Sequence, residues 1–185
     1  LLYWAWKWYE PLTGPRKVAG SVFWGVLYGI LGLEVWCLLM APFIDPYAGE
    51  PWSRSAFGLR IFTATLIVPV FEELFIRGYL YKAGFQWGEA RKTMPGRRAL
   101  NHVLEAMHIQ TVPPGAWSAA ALITGTLFFC AGHLMIEWLA AAAYFLLLSI
   151  LWIRRKEMLS CMVAHGTTNF GLALYVYLTG QWGFW

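Results

Sequence analysis

Glu72 and Glu73 are adjacent carboxylates inside an apolar run, and Arg77 follows four residues after the second. The run IFTATLIVPVFEELFIRGYLY, from Ile61 to Tyr81, is long enough to cross a bilayer as a helix, which takes about 20 apolar residues. A charge at the centre of such a helix costs on the order of 3 kcal/mol on insertion scales and commonly marks function. Three charges within six residues are hard to explain as packing. Helical spacing puts Glu73 and Arg77 on one face, with the acid N-terminal, the favourable order for an ion pair. Glu72 points about 100° away and is left to face a cavity. A second carboxylate, held out of water beside the first, is placed to exchange a proton.

Two further polar pairs lie in apolar segments at the same spacing: Phe129 with His133 (FCAGH), and His165 with Asn169 (HGTTN). Taken singly, each has a plain explanation. A membrane His can bond a neighbouring carbonyl, an Asn can tie two helices together, and Glu73–Arg77 can be a structural ion pair. Glu72 is the residue such explanations leave over. Glu34, alone in the first span, is either a cavity-lining acid or a helix contact. Glu137 falls at a turn where it reaches water, and His102 and His108 belong to a solvated loop.

The elements that must position these groups are membrane helices. The chain is 59% hydrophobic and 13% charged, with 12 Trp, 12 Phe and 9 Tyr; a soluble domain carries roughly twice that share of charge. An all-α polytopic helix bundle is expected, as one domain over 18–185, preceded by a juxtamembrane segment 1–17 compatible with the tail of an earlier span. Five spans are expected: Val18–Ile44, Leu59–Lys82, two within Ala116–Trp152 that fold back near Gly132–Glu137, and Met158–Leu178. Between the second and third lies a basic stretch, 86–114, with an amphipathic piece around Leu100–Ile109. From Ala116, His133 lies about 17 residues in, deeper than Glu72 and His165 lie in their spans; a span starting near Ile123, or a strong tilt, would bring them level. Cys37, Cys130 and Cys161 sit in apolar segments and read as buried free thiols.

Basic residues orient the bundle. Lys7, Arg16, Lys17, Lys82, Arg91, Lys92, Arg97, Arg98, Arg154, Arg155 and Lys156 all fall on one side if the spans alternate, against Arg54 and Arg60 on the other. By the positive-inside bias, the basic loops are cytoplasmic. The net charge of +4 thereby has a topological explanation and calls for no nucleic acid.

Together the three patterns resemble the intramembrane glutamic proteases of the CAAX-protease and bacteriocin-processing family, in which E-E-x-x-x-R, F-x-x-x-H and H-x-x-x-N occur on successive membrane helices. The resemblance spans roughly Leu59 to Leu178. A finer likeness, in FIDPY, VPVFEELF, AHGTTNFGLALYV and TGQWGFW, is to the branch associated with bacterial exosortase systems. That branch implies a bacterial plasma-membrane protein, a sortase-like partner system and substrates with C-terminal sorting signals rather than prenylated proteins. Ile76 departs from the family, whose members often carry an aromatic residue before the Arg.

The resemblance implies peptide hydrolysis by an activated water, with no cofactor and no metal. Glu72 would be the general base, holding the water with His133 and passing its proton to the leaving amine. Glu73 and Arg77 would fix its position, Phe129 would support the site, and His165 and Asn169 would donate hydrogen bonds to the oxyanion. The substrate would be a membrane-associated protein or peptide presented in the lipid bilayer. Two alternatives remain open from the residues: a zinc-dependent membrane protease, since two His and a Glu make an acceptable zinc set, and a non-catalytic peptide-binding or immunity protein. A proton-coupled transporter is disfavoured by the absence of repeat symmetry.

Overall fold

The computed structural model describes residues 17–45, 47–106 and 109–185. Lys7, Arg16, His108 and the rest of the segment before Lys17 lie outside the described residues. Among those described, the chain is all helical: α1 (Val18–Met40), α2 (Arg54–Phe62), α3 (Val68–Phe75), α4 (Tyr81–Ala90), α5 (Gly96–Ala106), α6 (Ala119–Ala131), α7 (Trp138–Arg155) and α8 (Leu159–Thr179).

Helices α2, α3 and α4 are one rod, 54–90, joined through two π segments at Thr63–Ile67 and Ile76–Leu80. Ser53 starts it by accepting from the Ala56 amide at 3.3 Å, the usual N-cap device. This rod is longer at both ends than the expected Leu59–Lys82: the Ser53 cap starts it five residues earlier, and GFQWGEA continues the helix into the stretch expected as a loop from residue 86. The first span is shorter than expected, ending at Met40 before the turn at 41–44. The basic stretch is correspondingly shorter and contains α5, whose Ala99 and Val103 are buried. The fold-back lies where expected, as a short 3-10 turn at Met135–Glu137. Helix α7 stops at Lys156, which adopts a left-handed conformation (φ 57°) while its amide returns to the Trp152 carbonyl at 2.8 Å. Helix α8 stops at Gly180 in the same manner.

Helix α1 packs most extensively along α8. The contact is a stripe of small residues, Ser21, Gly25, Gly29 and Gly32, all buried. A Cβ at Gly25 would stand 2.6 Å from Cβ of Val163, and one at Gly29 would stand 2.7 Å from the Ala164 carbonyl oxygen. Backbones this close gain dispersion energy that lipid cannot match, and Thr168 adds a hydrogen bond to the Gly29 carbonyl at 2.8 Å. A core of Leu74, Tyr81, Phe129, Tyr144, Phe145, Leu148 and Trp152 fills the space between α3–α4, α6 and α7.

Large apolar side chains are exposed on the bundle's outer surface, among them Phe23, Leu38, Leu59, Phe71, Ile123, Leu127, Leu139 and Leu174. Water would not tolerate so broad an apolar surface, but lipid does. Helix α1 and the segment Met135–Arg155 are each long and apolar enough to cross a membrane. Three of the basic residues meet at one end: a Cβ at Gly20, one turn after Lys17, would lie 3.5 Å from the Arg155 guanidinium, and one at Gly115 would meet the Lys156 side chain at 2.7 Å.

Candidate active site

Pro69 sits inside the membrane rod one turn before the glutamates. A proline has no backbone N–H, so the carbonyl it would serve must find another donor, and no water is available in hydrocarbon. The chain resolves this with a π turn. The Val68 amide reaches back five residues to Thr63, and the next bond in that register, from residue 69 to Ala64, cannot form. The Ala64 carbonyl instead accepts the side-chain amide of Asn169 at 2.8 Å. Helix α8 is drawn in so closely there that a Cβ at Gly166 would stand 2.6 Å from the Thr65 carbonyl oxygen. Single-turn π segments frequently mark functional sites. Here they flank the turn bearing Glu72 and Glu73, with Arg77 in the second.

Glu73 and Arg77 are fully buried and paired, as their spacing implies. Arg77 also donates to the Phe145 carbonyl at 3.4 Å and lies over the Phe145 ring, 4.6 Å from its centroid. The second oxygen of Glu73 faces His165 Nδ1 at 3.2 Å. His165 Nε2 is 3.9 Å from Oε2 of Glu72, whose side chain is 32% exposed. One imidazole therefore stands between both carboxylates. A Glu73 carboxylate paired with Arg77 can only accept, so Nδ1 of His165 is the donor. The fully buried charges, Glu73 and Arg77, neutralise one another, as burial requires, and Glu72 keeps access to solvent. Sequence reasoning joined His165 to Asn169 and missed its contact with the glutamates, because 92 residues separate it from Glu73.

His133 is not on a helix. Helix α6 starts at Ala119 and ends at Ala131, so His133 falls in the turn beyond. Neither a start at Ile123 nor a position 17 residues along a helix from Ala116 applies. The thirteen residues of α6 rise about 20 Å, short of the ~30 Å hydrocarbon thickness. His133 Nδ1 still reaches the Phe129 carbonyl at 2.9 Å, the bond the four-residue spacing allows.

Phe129 links the two histidines, its ring centroid 4.8 Å from that of His133 and 6.0 Å from that of His165. Among the described contacts His133 and Glu72 do not touch, so the structure brings Glu72, Glu73, Arg77 and His165 into one cluster and sets His133 across Phe129 from it. Tyr144, 5.8 Å from His165, and Trp36, 5.5 Å from His133, complete the aromatic wall. The sequence offered one signal for Tyr144, a lone phenol in the run AAAAYFLLL, and none for Trp36.

Glu34 is exposed on α1 and apart from this cluster. Glu137 caps its own turn, accepting from the Leu134 amide at 2.9 Å. His102 is exposed on α5. Cys130 and Cys161 are buried free thiols, as expected, whereas Cys37, also free, is only half-buried.

Comparison with known proteins assigns the same segment. The family model described as Type II CAAX prenyl endopeptidase Rce1-like matches residues 54–171, well over half of the chain and inclusive of all three motifs. No curated protein and no solved structure matches. The chain belongs to the Rce1-like family of type II CAAX prenyl endopeptidases, which are integral membrane proteases.

Proposed function

We propose that this protein is a glutamic-type intramembrane endopeptidase that hydrolyses a peptide bond near the C-terminus of a membrane-associated protein. The observation that carries the reading is the division of labour between neighbouring carboxylates. Glu73 is fully buried and neutralised by Arg77, whereas Glu72 is partly exposed and beside His165.

Glu72 takes a proton from water as the hydroxyl oxygen attacks the scissile carbonyl carbon. The tetrahedral intermediate then collapses, the C–N bond breaks, and the proton on Glu72 passes to the leaving nitrogen. His165 as an imidazolium, anchored through Nδ1 on Glu73, has Nε2–H free to stabilise the oxyanion. Asn169 carries two amide hydrogens; one is held by Ala64, and the other serves the same oxyanion. His133 orients the water from the Phe129 side. Residues around TGQWGFW and FIDPY favour a bacterial plasma-membrane setting and a substrate with a C-terminal sorting signal.

The test compares protein termini by mass spectrometry between cells with wild type and cells with Glu72→Gln. New termini that require Glu72 support the reading and identify the substrate. Identical termini, with substrate-bearing genes expressed, would return the chain to a peptide-binding role.

A further inference from the structure

One cavity of about 390 Å³ lies in the half of the bundle remote from the basic loops, lined by Arg60, Thr63 and Val68 on the rod and Asn169 on α8, with Trp36 and Trp185. Its inner end adjoins the site. Val68 is one turn before Glu72, Asn169 one turn after His165, and the Trp36 ring lies tilted against that of His133. Its outer end holds a cation and a donor. The exposed Arg60 guanidinium lies over Trp52 at 4.8 Å and over Trp185 at 5.2 Å, and no carboxylate among the described residues is within ion-pair distance of it. The Trp185 indole N–H is buried without an acceptor. Glu137 also lines the cavity, with one oxygen engaged by the Leu134 amide.

A cation oriented by two indoles, beside an unsatisfied N–H, is suited to bind a carboxylate. The geometry points to Arg60 as a specificity residue that holds a carboxylate of the peptide substrate, which enters by the face opposite the basic loops. By the positive-inside bias that face is non-cytoplasmic. This inference rests on the protease reading and adds to it the substrate's charge and side of entry. The carboxylate is either a C-terminus or an Asp/Glu side chain.

The experiment uses the full chain in proteoliposomes and quenched fluorogenic peptide libraries that differ only in carrying Asp/Glu, Asn/Gln or Lys/Arg, each made with a free or an amidated C-terminus. Glu72-dependent cleavage is expected to favour the peptides that carry the recognised carboxylate, as an Asp/Glu side chain or as a free C-terminus. Arg60→Gln should raise KM about ten- to a hundredfold for them, the range for a charged hydrogen bond, with kcat held, the signature of uniform binding. Arg60→Lys should restore part of the loss, and Arg60→Glu should turn the preference to Lys/Arg peptides. A response to amidation identifies the C-terminal carboxylate; a response to Asp/Glu identifies a side chain. Glu72-dependent cleavage indifferent to peptide charge, or unaltered in Arg60→Gln, overturns the inference and leaves the protease reading standing. Absence of any Glu72-dependent cleavage overturns both. The face of entry is read separately with Thr63→Cys in a Cys37→Ser background and a membrane-impermeant maleimide. Labelling is expected from the face opposite the basic loops, and labelling only from the basic face, or from neither, overturns that part.

Discussion

Asn169 donates to the Ala64 carbonyl across the helix interface at 2.8 Å, and that carbonyl is available because Pro69 stands where its π-turn donor would be. A backbone defect in one helix is thus repaired by a side chain of another. The repair sets the register of α8 against the glutamate rod, and with it the position of His165 between Glu72 and Glu73.

This coupling is measurable. Asn169→Ala leaves a carbonyl without a donor in hydrocarbon and should cost about 1–3 kcal/mol. Pro69→Ala restores a backbone N–H that can serve Ala64 or Thr65. Asn169→Ala should therefore cost less in the Pro69→Ala background. Thermal unfolding in detergent of both single variants and the double variant gives the interaction energy; strictly additive losses would dismiss the repair.

The two glutamates should fail in different ways. Glu73→Gln strands Arg77 as a buried charge, and breaking such a pair typically costs about 3–5 kcal/mol, so reduced folding yield and a lower melting temperature are expected. Glu72→Gln should keep the wild-type melting temperature and lower turnover about 10²- to 10⁴-fold, the usual worth of a general base. Parallel melting and turnover measurements on both variants separate the roles.

Gly166→Ala places a methyl against the Thr65 carbonyl oxygen, at 2.6 Å before any movement. The expected result is an overpacking loss of about 1–3 kcal/mol, with reduced activity because α8 and His165 are pushed off the rod. Gly58→Ala, on the same rod where a Cβ meets nothing within 4 Å, should be neutral or stabilising by up to about 1 kcal/mol through helix propensity. Equal effects at both positions would contradict the close approach.

Hydrolysis by Glu72-bound water has no step that uses a metal ion. Dialysis against EDTA, or addition of 1,10-phenanthroline, should leave turnover of a cleaved peptide unchanged. Loss of activity on chelation, with recovery on adding Zn²⁺, would favour the zinc alternative.

His133 occupies a half-buried turn, and its ring nitrogen bonds only the Phe129 carbonyl among the described contacts. His133→Ala should therefore leave the unfolding free energy within about 0.5 kcal/mol of wild type, as is usual away from the core, and reduce turnover if it orients the water. A fall in stability without a fall in turnover would assign it a structural task.

Composition and spacing alone determined a good deal about this protein. An apolar fraction of this size, with charges confined to short segments, leaves helices as the structure for a lipid environment, since backbone groups there must be satisfied within each segment. The four-residue interval placed Glu73 with Arg77, because contacts one helical turn apart are local and need no tertiary information. What only the tertiary structure decided lies between segments distant in the chain. His165 meets Glu73 from 92 positions away, and Asn169 is committed to Ala64 rather than left wholly free for substrate. His133 falls beyond the end of a short helix. The small-residue stripe on α1 finds its partner in α8. Hydropathy reports how deep a residue sits but not which helix lies beside it or in what register. In this bundle the register is set by close backbone approach at Gly29 and Gly166 and by the carbonyl that Pro69 leaves open.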